Sequence, residues 1–398
     1  MRKTLIAVTA LVLLGAYQVP AQAAPPDAPA DVQISWADVA KKTVKLTWKD
    51  SGEKNYFDYE IDGADAGDDG AESAQAVSPW FDTARPAVPS LTDATPLADG
   101  SLRLNWSLAA VPADTTPNDP LDLGPASETV GPGIWPQGGS PKAERFPRPA
   151  GSTTGVVPPR PRPFPVRVYA QNEWAQVSSK QSVTFAVMAL SIKVPAVADF
   201  GRLMYPGGTA GAQNCLTVSP TCGLDTGAGI VVTMQRRADA TKPWNYAGRY
   251  LEQGDGIEAY TAPTGGQQYR YYLPTWKYFF QNDWTVTSPV STTARYSATQ
   301  AHFVVAGFNT LTAQVGQILR TTVEVRPAGA VKASLQWYDG KVWHHAAYIP
   351  LTKGKGTLNV KAAGRGTTRY WRVAVPKMTY NGLPIVTTGS RAFKLTVR

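Results

Sequence analysis

Apolar and polar residues take turns along many short stretches of this chain, with a period of two. Between 164 and 171, Phe164, Val166, Val168 and Ala170 alternate with Arg167, Tyr169 and Gln171, which places the apolar set on one face of a strand. A polar link with two serines follows, and Ser182-Val183-Thr184-Phe185 begins another strand. Residues 31–36 read as a first strand. In 44–49, Val44, Leu46 and Trp48 form the inward set, and in 57–62 three acids face outward. Leu102, Leu104 and Trp106 alternate with Arg103, Asn105 and Ser107. Burying three large side chains per strand contributes roughly 1.5–3 kcal/mol each, enough to fix register, because a one-residue slip would turn every lysine of 44–49 inward. No long stretch carries a convincing 3.6-residue period, so the pattern predicts an all-β chain.

Past Val187 the pattern repeats. Residues 230–237 are followed by Trp244, by the strand 268–272 and by 288–296; residues 331–338 are followed by Trp343, by 368–373 and by 389–397. The spacing of about 100 residues is that of one immunoglobulin-sized sandwich. Both repeats resemble the bacterial immunoglobulin-like modules that occur in tandem on exported proteins, particularly of actinobacteria. The stretch 164–185 resembles the last two strands of a fibronectin type III domain, Tyr-x-Val-Arg-Val-x-Ala-x-Asn-x-x-Gly followed by serines. Phe164 stands where the family has Tyr and Ala175 where it has Gly, so the corner hydrogen bond of the Tyr hydroxyl is lost. Trp48 falls where that family keeps its buried core Trp. These resemblances imply tandem β-sandwiches with neither cofactor nor catalytic set, and each family hosts many unrelated functions.

The resulting organisation is a leader over 1–23, a fibronectin type III-like domain over 31–188, an immunoglobulin-like domain over 191–305 and a basic one over 309–398. Between 108 and 163 lie 13 prolines and little periodicity, which reads as a long insertion in the first domain. The stretch 89–106 also reads as the opening pair of strands of a second sandwich; one domain with an insertion is preferred, because 31–88 alone supplies too few strands to close a core.

Composition sharpens this picture. Met1-Arg2-Lys3, a short apolar run and Ala21-Gln22-Ala23 describe a secretory signal peptide cleaved near Ala23. No later stretch is long and apolar enough to span a bilayer, and no wall-sorting motif is complete, so the mature protein is expected outside the cell, free or held non-covalently at a cell wall. In that compartment Cys215 and Cys222, seven apart in a Pro/Gly-containing loop, are expected to form a local disulfide; a redox pair lacks the Cys-x-x-Cys spacing. Charge is unevenly spread. Residues 24–190 hold 14 Lys and Arg against 21 Asp and Glu, residues 191–309 hold 9 against 7, and residues 310–398 hold 14 against 2, a balance of +12. Such an asymmetry speaks of partners rather than fold.

Candidate chemistry is sparse. The histidines are His302, His344 and His345, and no zinc-hydrolase, nucleophile-elbow or P-loop signature occurs. His344 and His345 are adjacent in a strand and point to opposite faces. No catalytic residue and no metal site are expected. Asp62, Asp65, Asp68, Asp69 and Glu72 lack EF-hand spacing and read as a solvated hairpin tip. Two binding leads remain. Lys353, Lys355 and Lys361 fall on the outward face of a strand whose inward set is Leu358 and Val360; Arg365 on the next turn and Arg372 on the next strand extend this into a face for polyanions. The second lead is aromatic: Trp135, Trp174, Trp244, Trp284 and Trp343 are not all obvious core positions, and flat exposed rings stack on sugars. Trp174 lies in the tip joining two final strands, a favoured ligand position. The expected function is non-catalytic binding or adhesion at a cell envelope or extracellular polymer, with the basic domain as anchor and the loops of the first two domains as variable surface. The competing reading is a neutral-polysaccharide-binding accessory protein.

Overall fold

The protein is described by a computed structural model over residues 30–49, 58–61, 64–68, 78–111, 115–124, 128–134, 144–214, 223–225, 229–254 and 256–398. The described residues contain strands and no helix. The leader, Trp135, Cys215 and Cys222 fall outside them. The chain divides into two compact units, one of residues 1–86, 111–128 and 171–175, the other of 87–110, 129–170 and 176–398.

In the first unit β1 (Ala30–Asp38) pairs with β2 (Thr43–Lys49), and β3 (Asp58–Ile61) with β4 (Ala64–Asp68). The alternation of 44–49 does not lead to burial here. Val44 and Leu46 are exposed and Trp48 half-buried, while Ile34, the cross-strand partner of Leu46, is buried.

The second unit holds three sandwiches. Strands β5 (Pro89–Pro96), β6 (Leu102–Leu108), β7 (Thr129–Ile134), β8 (Glu144–Arg145), β9 (Arg148–Pro149), β10 (Thr154–Val157), β11 (Phe164–Gln171), β12 (Gln176–Ser178) and β13 (Ser182–Lys193) build the first sandwich. Its sheets run β10-β6-β5 and β13-β11-β7, the Greek-key order of an immunoglobulin-like or fibronectin type III-like fold. Phe164 pairs with Phe185 across β11 and β13, and their rings meet edge to face at 5.6 Å. This sandwich therefore begins at β5, as the second reading of 89–106 has it, and not at residue 31. Trp106, 2% exposed, is its buried tryptophan in place of Trp48. Much of 108–163 is no insertion: Val130, Ile134 and Val157 lie in the core. Its prolines hide a strand signal because β7 reads Thr-Val-Gly-Pro-Gly-Ile.

The second sandwich shares β13 and adds β14 (Val197–Asp199), β15 (Gly207–Asn214), β16 (Gly223–Asp225), β17 (Val231–Arg237), β18 (Asn245–Leu251), β19 (Gln267–Leu273), β20 (Trp276–Phe280), β21 (Asp283–Thr287), β22 (Val290–Ser291) and β23 (Arg295–Gln300). One sheet runs β14-β23-β19-β17-β18. Tyr269 and Tyr271 point from β19 into the core beside Met234, Val232 and Ile230.

The third sandwich comprises β24 (His302–Phe308), β25 (Thr312–Ala313), β26 (Ile318–Arg326), β27 (Val331–Tyr338), β28 (Trp343–Leu351), β29 (Lys355–Lys361), β30 (Thr368–Val375), β31 (Met378–Tyr380), β32 (Leu383–Ile385), β33 (Thr388–Gly389) and β34 (Phe393–Val397). Its sheets run β24-β26-β29 and β25-β34-β30-β27-β28. The second order matches the β14-to-β18 sheet strand for strand, including the parallel first pair.

Each later sandwich is stapled to the one before it. The hairpin β20–β21, between the last two long strands of the second sandwich, lays β21 parallel to β13 from Ser182↔Asp283 to Ala186↔Thr287. Val286 enters the first core and Lys277 Nζ meets Asp93 Oδ1 at 2.5 Å. The hairpin β31–β32 holds the corresponding place in the third sandwich. Val386 donates its N–H to the Thr299 carbonyl, Gly266 donates to the Pro384 carbonyl, and Tyr380 packs edge-on to Phe200.

Candidate functional site

The basic residues read from the sequence do not form one face. Lys355 and Lys361 do share the outward side of β29, whose burial alternates strictly, but six residues separate them, about 20 Å of strand. Lys355 Nζ lies 3.3 Å from Glu324 Oε2. Lys353 sits with Gly354 in the two-residue turn between β28 and β29, both at positive φ (50° and 76°), as a type I′ turn requires. Arg365 is exposed on the turn between β29 and β30. Arg372 belongs to the other sheet, on β30. Its position followed a different strand pairing from that of the lysines, which spacing along the chain does not reveal.

Trp174 is not a free platform. Its ring stacks on Phe81 at 5.8 Å and lies 4.8 Å from Trp36, while the Trp36 Nε1 donates to the Leu121 carbonyl at 2.8 Å. Apolar rings in water gain more by burying each other than by standing alone. Trp284 packs against the first core, with the Phe279 ring 4.7 Å away. Among the described residues no group of three His, Cys, Asp or Glu is placed to hold a metal.

Trp244 and Trp343 have a different setting, the same in both later sandwiches. On β17 and β19, Gln235 and Arg270 are cross-strand partners; Arg270 Nε donates to Gln235 Oε1 at 2.8 Å, and its guanidinium carbon lies 4.3 Å from the Trp244 ring centre. On β27 and β30, Gln336 and Arg372 are cross-strand partners; Arg372 Nε donates to Gln336 Oε1 at 2.8 Å, and its guanidinium carbon lies 4.3 Å from the Trp343 ring centre. The strand pairing aligns Gln and Arg, the amide fixes the guanidinium edge, and the ring takes one of its faces. The remaining N–H groups stay available on the outside of the sheet.

The second sandwich adds Arg237, also 4.3 Å from Trp244, whose Nε donates to Gln268 Oε1. Two guanidiniums thus meet one ring, with no carboxylate in ion-pair distance among the described residues. Burial, with the Arg237 charge beside it, lowers the Arg270 guanidinium below its ordinary value; burial does the same to Arg372. The third sandwich surrounds its copy with rings. Tyr338 lies 5.1 Å from Trp343, and His345 lies 4.2 Å from Tyr348 while bonding Ser334 Oγ. Tyr370 is exposed opposite Lys394. At the same end Arg369 lies over Trp337, which stacks on His344.

Neither sheet carries acid on these strands. No Asp or Glu occurs in β17, β18, β19 or β23, nor in β27, β28, β30 or β34. The carboxyl side chains of the last sandwich are Glu324, held by Lys355 on the opposite sheet, and Asp339. Backbone N–H groups of Val342 and Lys341 and the His344 ring hold Asp339 far below the ordinary carboxylate range. The sequence signal for this arrangement was present: Gln and Arg at outward positions of neighbouring strands, with a Trp after each Gln and before each Arg.

No family model and no curated protein matches the chain. Similar solved structures include the FN1–FN3 domains of chicken CNTN1, 11% identical over 79% of this chain and 99% of that one, TM-score 0.21. The three N-terminal domains of the bacteriophage RB49 highly immunogenic outer capsid protein are 12% identical over 78% and 99%, TM-score 0.25. The D1–D4 ectodomain fragment of ICAM-5 is 14% identical over 79% and 74%, TM-score 0.28. Identities and scores this low assign neither partner nor activity.

Proposed function

We propose that this chain is an extracellular, non-catalytic binding protein that holds an anionic polymer of a cell envelope or its surroundings on the Gln–Arg–Trp faces of its second and third sandwiches. The observation that carries this reading is the recurrence of one constellation on two strand pairs, β17–β19 and β27–β30, that carry no acid. Guanidiniums gathered at a ring without a direct ion pair raise the free energy of the empty face, and an oxyanion offsets that cost. The planar fork suits carboxylate, sulfate and phosphate alike, and the neighbouring tyrosines offer flat surface to a sugar backbone. The hairpin tips favoured as ligand loops in such folds staple the second and third sandwiches in place instead, which leaves the sheet faces for a partner. The +12 balance of residues 310–398 adds a long-range attraction to the same partner.

Exposed Tyr348, Tyr370, Tyr246 and Tyr296 favour a second reading, a neutral polysaccharide held by stacking. Salt separates the two. Retention on an immobilised acidic polysaccharide falls steeply between roughly 50 and 200 mM salt if charge carries affinity; affinity for a neutral glucan that ignores salt would replace the first reading with the second.

A further inference from the structure

We infer a separate anion site on the first sandwich: an open cleft lined by Arg103 and Arg148 that takes an acidic saccharide through its carboxylate or sulfate. The cleft, about 650 Å³, is bounded by Arg103, Asn105, Arg148, Ser152, Thr154 and neighbouring backbone. Its size suits one or two sugar rings. Its floor is the outward side of β6 and β10, where Asn105 pairs with Thr154 and Arg103 with Val156. Strand alternation turns Leu102, Leu104 and Trp106 into the core, so Arg103 and Asn105 must face the cleft. Its wall is the turn after β9, held by Ser152 Oγ donating to the Pro149 carbonyl at 2.7 Å. Thr154 Oγ1 donates to Asn105 Oδ1 at 2.9 Å, which leaves the Asn105 amide N–H groups for a ligand.

The charges of the module single this cleft out. Residues 24–190 carry a net −7, yet no Asp or Glu lines it. Other arginines of the sandwich are engaged: Arg160 with Glu144 at 2.7 Å, Arg162 with Ser288 and the Phe185 ring, Arg145 over Tyr169. Arg103 and Arg148 have no ion-pair partner among the described residues, and both open onto one cavity. A guanidinium lining such a cleft can hold an oxyanion in bidentate fashion, and hydroxyl and amide groups around it recognise a polyhydroxylated carrier.

The test is calorimetric titration of the full chain with a uronate disaccharide, a sulfated disaccharide, inorganic sulfate and a neutral disaccharide. All titrations use the R237Q/R270Q/R372Q chain as background, which removes the guanidiniums of the Gln–Arg–Trp faces from the readout, and the expected result is binding of one or both acidic sugars, weakened at least tenfold by R103Q and R148Q separately. Preference between uronate and sulfated sugar identifies the group carried. Equal affinity for free sulfate reduces the site to an adventitious anion position and overturns the saccharide assignment. Binding that survives R103Q/R148Q, or no binding by any probe to the folded chain, overturns the site altogether.

Discussion

Arg372→Gln, with Arg270→Gln as its twin, is the most direct perturbation of the repeated faces. Each guanidinium spends its Nε–H on a glutamine 2.8 Å away and one face on a tryptophan 4.3 Å away. The stack contributes on the order of 0.5–1 kcal/mol at an exposed site and the neutral hydrogen bond about 1 kcal/mol, so the sandwich stays folded in either variant. Its remaining N–H groups are free to make a charge-assisted bond to an oxyanion, about 1.5–3 kcal/mol, so each substitution should weaken polyanion binding by roughly 10- to 100-fold at low salt. Loss of one neutralising charge should also reduce the slope of log K against log salt by about one. Arg372→Lys keeps the charge and loses the planar fork, so it should restore the slope without the full affinity. The assay is equilibrium binding of the whole chain to a labelled acidic polysaccharide at several salt concentrations, with circular dichroism to verify the fold. Unchanged slope in both Gln variants, with loss of binding in K353Q/K355Q/K361Q instead, would refute the assignment and move the site to β29.

Other consequences are testable with single variants. For Asp93, burial pushes the carboxyl up, but hydrogen bonds from Lys277 and Thr95 overcome this and leave it below its ordinary value of 3.8. Its ionised form therefore stabilises the staple above that value and the contribution fades as pH falls through the lowered one; Lys277→Met should flatten the fall of melting temperature on acidification below about pH 5. In the second core, burial pushes the Tyr269 phenol up to about 12, and its hydroxyl has no hydrogen-bond partner among the described residues, whereas Tyr271 donates to the Pro206 carbonyl at 3.1 Å. Denaturant titration should find Tyr269→Phe neutral or stabilising and Tyr271→Phe destabilising by about 1 kcal/mol. The hairpin of β15 and β16 ends at the pair Asn214↔Gly223, and Cys215 and Cys222 are the next residues inward along the chain. Peptide mapping of the purified protein without reductant should recover them as one linked species, contributing on the order of 2–3 kcal/mol; two free thiols would dismiss the bridge.

Alternation alone was enough to fix the class of this protein. Period-two apolar sets in 102–106, 164–171, 331–338 and 355–361 can be buried on one side only as strands, and the repeat of strand, Trp, Arg/Tyr strand and final strand anticipated the third sandwich and the latter part of the second. The same logic failed at Val44 and Leu46, since a local pattern states which face is apolar but not whether a second layer exists to cover it. It failed at 129–157 for the opposite reason: Gly and Pro in β7 hide a strand whose burial is imposed by neighbours distant in sequence. The stapling of β21 onto β13 and the meeting of Gln, Arg and Trp on one outer face come from pairings between residues 31 to 101 positions apart. Such pairings depend on which edges and cores are left open once the other strands have packed, a competition that only the assembled chain resolves.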